Sequence, residues 1–337
     1  MFEKWKSILT VGLLSAFVLG FGIWAAVKPA DALSTSERRP LAQMPELSAS
    51  SYLSGKFMSG YEDYATDQFP LREQFRTLKA LMGLYVFDQK DNNGVYLADG
   101  SAAKLEYPLN EGSVAHAADR FRYLYETLMA GTDTKVYLSV IPDKNYFLAD
   151  ANGYPALDYS ALTDALRAQT EFAAYIDLFG TLTIDNYYRT DSHWRQERLL
   201  PVAAAICEAL GADAPGTFTE KTLSPFYGAY YGQAALPMAP DTLTYLESAD
   251  TKAAEVTGPE LDGAQPVYRP ELLDGTDGYD VFLSGAQAVL TVTSPNVHNG
   301  RHLVLFRDSF GSSLAPLLLG SFERITLVDL RYISAAR

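Results

Sequence analysis

The chain has 337 residues, 48% hydrophobic and 12% aromatic, with 22 tyrosines, which supplies a large core and excludes a disordered chain. A formal net charge of −14 argues against nucleic acid as a partner and against adsorption to anionic lipid, because both demand clustered Lys and Arg. The single cysteine, Cys207, excludes an intramolecular disulfide, and its place on the apolar face of a predicted helix argues against thiol catalysis.

At the N-terminus, Lys4 and Lys6 precede an uncharged stretch, Ile8 to Val27, long enough at ~1.5 Å per residue to cross a ~30 Å hydrocarbon core. The positive residues before it and Trp24 near its far end predict a single-pass anchor with the body of the protein outside the cytoplasm. The small residues at Ala30 and Ala32 would suit signal cleavage, but the apolar run exceeds the usual ~7–15 residues, so retention is expected. A linker rich in Pro, Ser and charge follows, and then apolar spacing from Tyr52 to Tyr85 predicts two helices meeting at "DQFP". "DQKDNNGVYLADG" reads as a turn at Asn93-Gly94 entering a strand.

Helix and strand alternate after that: a helix over Gly112 to Ala130, a strand in "KVYLSVIP" from Lys135, a helix over Ala161 to Thr170 and a strand in "AAYIDLF" from Ala173. This alternation predicts an α/β fold with a parallel sheet. Behind "YYRTDSHWRQE", an apolar stripe of Leu199, Leu200, Ala203, Ile206, Cys207 and Leu210 predicts a helix closed by Gly211. His193 is therefore expected at a helix N-terminus, whose partial positive charge favours a neutral imidazole, with Asp191 holding its other nitrogen. Near the C-terminus, a buried strand over His302 to Phe306, a helix over Phe310 to Leu319 and a strand over Arg324 to Asp329 predict a right-handed crossover.

Ser309 lies at the turn from strand to helix, where a hydroxyl projects from the sheet edge and backbone N–H groups can stabilise an oxyanion. Asp191, His193 and Ser309 thus offer acid, base and nucleophile at the ends of elements of one fold. Each also has a plainer reading: Asp308 or Ser309 as a helix cap, and Asp191 as a helix start. His116 falls mid-helix, and His298 and His302 flank an exposed turn.

"TDSHW" followed far downstream by "RDSFGSSLAP" resembles the DHHW family of bacterial membrane-anchored proteins and, more distantly, the SGNH-hydrolase-like domain of the alginate O-acetyltransferases AlgJ and AlgX. "SERRPLAQMPELS", "YEDYATDQFPLREQF", "NNGVYL", "IPDKNYF", "FYGAYYG", "YDVFLSG" and "ITLVDLRYI" come in the family's order. The resemblance implies an SGNH-hydrolase-like three-layer α/β/α domain with a parallel sheet, divided here as an anchor over residues 1–33, a linker and helical extension over 34–100, and the catalytic domain over 101–337. The chain stops sooner after the last strand than the family does, so the C-terminus is expected to lack a sheet element.

The resemblance also implies that Asp191 orients His193, that His193 activates Ser309, and that Ser309 carries an acyl group. It implies a polysaccharide acceptor outside the membrane, a membrane-bound O-acyltransferase partner that supplies the acyl groups, and no cofactor. Oxyanion donors are expected at the Ser309 N–H with Gly228 or Gly285. Lys144 is expected to bind or position substrate, and Tyr227 to stack on a sugar ring. Ser192 stands where the family has a second histidine. Two other readings compete with the serine enzyme: a noncatalytic carbohydrate-binding envelope protein of the same fold, and a metal hydrolase, which the sparse histidines make demanding.

Overall fold

In the computed structural model, which describes residues 2–332, the chain divides into two compact units: 1–92 with 235–237, and 93–234 with 238–337. The first unit opens with helix α1 (Phe2–Val27), whose Lys4–Val27 stretch is apolar and long enough to cross a membrane. A two-residue ladder of β1 (Leu33–Ser34) with β2 (Arg39–Pro40) and three helices follow: α2 (Ala49–Leu53), α3 (Lys56–Asp67) and α4 (Arg72–Tyr85). The two helices expected around "DQFP" are α3 and α4. Asp67 at the end of α3 accepts from the Arg39 guanidinium at 2.6 and 2.8 Å and from the Ala42 N–H at 2.9 Å, tying the linker to the helices.

The second unit begins with a hairpin of β3 (Val95–Ala98) and β4 (Ser101–Lys104). Asn93 and Gly94 both take positive φ, as the turn entering β3 requires, and Asp99-Gly100 does the same between the strands. The chain continues through α5 (Glu111–Leu124), β5 (Tyr137–Leu138), α6 (Lys144–Leu148), α7 (Tyr159–Gln169), β6 (Ala174–Tyr175), α8 (Leu200–Ala209), β7 (Thr219–Phe226), α9 (Ala229–Ala234), β8 (Asp241–Glu247) and α10 (Ala249–Ala253). It ends in β9 (Glu255–Thr257), β10 (Val289–Thr293), β11 (His302–Phe306), α11 (Phe310–Leu314) and β12 (Arg324–Val328).

Parallel pairing, expected from the alternation, joins β5 to β6 and β11 to β12. The four-stranded sheet, ordered β11-β12-β10-β9, is mixed, because β10 runs antiparallel to both of its neighbours. The main core lies on this sheet, where Leu290, Val292, Ile325 and Leu327 pack with Leu317, Leu318, Phe322 and the buried face of α8, including Cys207. β11 differs from the buried strand expected of "HLVLF": it is the edge of its sheet and Val304 is 55% exposed. Pro316 also acts as its missing N–H dictates, and α11 gives way after Leu314 to a 3-10 turn over Ala315–Leu318.

Candidate active site

The "YYRTDSHW" segment folds back on itself as a tight loop. Tyr187 pairs with Trp194 in an isolated antiparallel bridge, and the Tyr188 N–H donates to the His193 carbonyl at 3.1 Å. Asp191 at its tip is fully buried, and its carboxylate is used on both oxygens. Oδ1 accepts from the His193 N–H at 2.9 Å and lies 2.5 Å from His193 Nδ1, while Oδ2 accepts from the Ala229 N–H at 2.7 Å. An aspartate accepting from Nδ1–H fixes the tautomer and leaves Nε2 with its lone pair free. That Nε2 lies 2.7 Å from Ser309 Oγ, 116 residues downstream. The imidazole is stacked on Tyr279, with centroids 3.8 Å apart and planes within 10°, and flanked by Phe310, so packing fixes its rotamer from the sides.

Ser309 leaves the end of β11 one residue before α11, the strand-to-helix turn its sequence predicted. The cap reading falls to Asp308, whose Oδ1 accepts from the Phe310 N–H at 2.9 Å, whereas the Ser309 side chain caps nothing. Arg307, with its side chain buried, donates to the Asp308 carbonyl at 3.2 Å and to Ser312 Oγ at 3.0 Å, spanning the turn from below.

Three interactions hold the loop that carries Asp191 and His193. The Asp241 carboxylate accepts from the backbone N–H groups of Arg189 and Thr190 at 3.1 and 2.8 Å and from Thr190 Oγ at 2.6 Å. Lys144 Nζ donates to the carbonyls of Tyr188, Arg189 and Asp191 at 2.7, 3.0 and 3.2 Å, an acceptor for each ammonium proton. Gly228 lies against the loop so closely that a Cβ there would come within 2.2 Å of Asp191 Cβ and 2.4 Å of the Thr190 carbonyl.

These contacts correct several expectations. Lys144, expected to bind substrate, is instead 2% exposed and faces backbone carbonyls; burial pushes its ammonium down to about 7 against the opposing pull of Asp191 and Asp241. The Gly228 N–H donates to Thr190 Oγ at 2.9 Å, and the Gly285 N–H closes a turn on the Phe282 carbonyl at 3.1 Å, so both expected oxyanion donors are already committed. Gly285 serves conformation instead: its φ is +82°, and a Cβ would come within 2.2 Å of the Asp280 carboxylate.

His193 does not cap a helix. α8 starts only at Leu200, with Pro201 in its first turn, so Asp191 rather than a helix dipole controls the ring. Tyr227 is 43% exposed beside Tyr231, one residue from the glycine that packs on Asp191. His298 and His302 are exposed, as expected, and so is His116 on its helix. Among the described residues no cluster of three or more His, Cys, Asp or Glu side chains could hold a metal ion.

Sequence reasoning missed Tyr279, Asp241 and Ser313. Ser313 accepts from Trp194 Nε1 at 2.9 Å and from the Tyr279 hydroxyl at 2.7 Å, and its carbonyl accepts from Gln196 at 2.7 Å. Burial pushes the Tyr279 hydroxyl far up, which keeps it a proton donor in this network.

Residues 178–328 match the DHHW protein family, and no curated protein matches the chain. Among solved structures, a DHHW family protein from Eubacterium siraeum is 23% identical, with a TM-score of 0.59, over 72% of this chain and 85% of that one. PatB1 from Bacillus cereus, solved with a sulfonyl adduct, is 16% identical, with a TM-score of 0.57, over 71% and 86%. The O-acetyltransferase domain of Pseudomonas putida AlgJ is 15% identical over 69% and 78%, and its TM-score of 0.42 is too low to support an inference. At these identities the likeness is one of fold. The family match runs from Leu178 to Val328 and so encloses Asp191, His193 and Ser309.

Proposed function

We propose that this protein is a serine-dependent O-acyltransferase or esterase, with Ser309 as nucleophile, His193 as general base and acid, and Asp191 as the group that orients the imidazole and stabilises the imidazolium formed when it takes the serine proton. The observation that carries the reading is the continuous hydrogen-bond line from Asp191 Oδ1 through both imidazole nitrogens to Ser309 Oγ, at 2.5 and 2.7 Å. In the first step Ser309 Oγ bonds to the acyl carbonyl carbon as its proton passes to His193 Nε2. Collapse of the tetrahedral intermediate breaks the donor's ester bond, and the leaving oxygen takes that proton. In the second step a sugar hydroxyl or water gives its proton to Nε2, attacks the acyl-serine and regenerates the Ser309 hydroxyl. The Ser309 N–H, with no hydrogen-bond partner among the described residues, is the donor left open to the oxyanion.

α1 anchors the chain in this reading, the domain lies outside the cytoplasm, the acceptor is a cell-envelope or exopolysaccharide sugar, and a membrane-bound O-acyltransferase supplies the acyl group. The exposed Tyr227 is the candidate sugar platform. A sulfonyl adduct, such as the one on the PatB1 fold relative, requires a nucleophilic atom, and the same reagent class offers a direct test here. A sulfonyl fluoride should add to Ser309 by mass spectrometry, and hydrolysis of a chromogenic acetyl ester should fall at least 1,000-fold in Ser309→Ala and His193→Ala. Turnover that survives both changes removes this mechanism, and polysaccharide binding with no acyl turnover on any donor points to a noncatalytic binding protein.

A further inference from the structure

Helix α4 carries an apolar stripe that its own unit leaves uncovered. At 100° per residue, Phe75, Leu78, Met82 and Tyr85 fall on one face, and the apolar Leu71 is the N-cap residue that precedes them. Leu71, Leu78, Met82 and Tyr85 are 43%, 52%, 39% and 78% exposed, while the opposite face buries Ala80 and Gly83. The arginines of α4 are engaged away from this stripe: Arg72 and Arg76 pair with Glu37 and Glu73. Such a face on a monomer is unfavourable in water and marks an interaction surface.

α1 identifies what covers it. Phe21 of α1 stacks on Phe69, with centroids 5.4 Å apart and planes within 4°, and meets Phe75 edge-on at 5.7 Å. Phe21 lies six residues before Val27, the end of α1, hence roughly 9 Å inside that end along the axis. A span that crosses the bilayer therefore holds Phe69 and Phe75 at the ~5–10 Å depth where amphipathic helices bury their apolar faces. Phe75 is itself a member of the α4 stripe, so the stripe begins where α4 meets α1.

We propose that α4 is an interfacial helix whose Phe75, Leu78, Met82 and Tyr85 face lies in the lipid boundary beside the outer end of α1, so that the bilayer holds the first unit by two elements. The inference rests on α1 being a retained membrane anchor, and the test separates the two.

The full chain carrying Cys207→Ala is reconstituted in vesicles of phosphatidylethanolamine and phosphatidylglycerol, with one nitroxide label at Leu78→Cys, Met82→Cys or, within α1, Leu13→Cys. Power saturation then compares collisions with oxygen, which concentrates in lipid, and with a water-soluble nickel chelate. Oxygen should exceed nickel severalfold at Leu78 and Met82, as at Leu13. A lipid-like Leu13 beside nickel-accessible Leu78 and Met82 overturns the inference alone, as does shielding of both from either reagent, which would mean a protein cover. A nickel-accessible Leu13 removes the anchor and this inference with it.

Discussion

Lys144→Met is the most informative single change, because it separates a structural clamp from a substrate ligand at a position where sequence suggested the latter. The substitution keeps an unbranched apolar chain of similar length but removes the donors to the Tyr188, Arg189 and Asp191 carbonyls. Each of the three buried carbonyls left without this donor costs ~1–3 kcal/mol, and deleting the buried cation returns a large part of that sum, so a net destabilisation of roughly 2–4 kcal/mol follows. The pH dependence carries a sign of its own. The folded protein releases the Lys144 proton near 7, whereas the unfolded chain holds it to ~10.4. Between those values the unfolded state binds more protons, so wild-type stability gains on the variant as pH rises, by at most ~1.4 kcal/mol per pH unit; below about 7 the difference is flat. Urea unfolding of both proteins in detergent from pH 6 to 10 measures it. Ester hydrolysis by Lys144→Met should fall about tenfold or more in kcat with KM little changed, since the loop that aims His193 loosens while the acceptor surface is untouched. Wild-type stability and kcat together with a raised KM would refute the clamp and restore Lys144 as a substrate ligand.

Gly228→Ala should abolish ester turnover and destabilise the second unit by several kcal/mol, because the new methyl would overlap Asp191 and the Thr190 carbonyl, neither of which can swing away; a soluble, active variant counts against the close packing. Asp67→Asn should lower the stability of the first unit at neutral pH. The Arg39 hydrogen bonds hold the Asp67 carboxyl down to about 2, so its contribution is complete above ~4 and fades as pH falls toward 2. Denaturation curves of the two proteins should therefore converge in acid, and a constant gap from pH 7 to 2 would contradict the assignment.

The parts of the site legible in sequence were those fixed by local chemistry. "RDSF" between an apolar strand and a small-residue helix has one strand-to-turn reading, and Ser309 stands there. The parts that failed depend on which hydrogen bonds a group finds in three dimensions. Lys144 in "IPDKNYF" looks like any loop lysine until three carbonyls from 44 to 47 residues away close around it. Gly228 and Gly285 look like oxyanion glycines until their N–H groups are seen to be spent on Thr190 and Phe282. One miss had a signal: Pro201 belongs in a first helical turn and dates the start of α8 to Leu200, well past His193. Asp241 had none, since a carboxylate that opens a strand is ordinary until two N–H groups and a hydroxyl converge on it.

Trp194 explains why the "DSHW" motif ends as it does. A histidine 116 residues from the serine it meets cannot be aimed by local backbone geometry, and in the proposed mechanism a 1 Å drift between the two loops would cost ~100-fold in rate. The indole is fully buried, and its N–H reaches Ser313 Oγ at 2.9 Å and the Phe310 carbonyl at 3.2 Å, both in the helical turn that begins beside Ser309. Gln196, two residues on, takes the Ser313 carbonyl, and the Tyr279 hydroxyl that stands over His193 takes Ser313 Oγ. Ser313 thus ties the histidine loop, the nucleophile helix and the stacking tyrosine to one point one turn from the reacting hydroxyl. In "DSHW" the aspartate orients the imidazole, the histidine reaches Ser309, and the tryptophan ties their loop to the helical turn beside that serine.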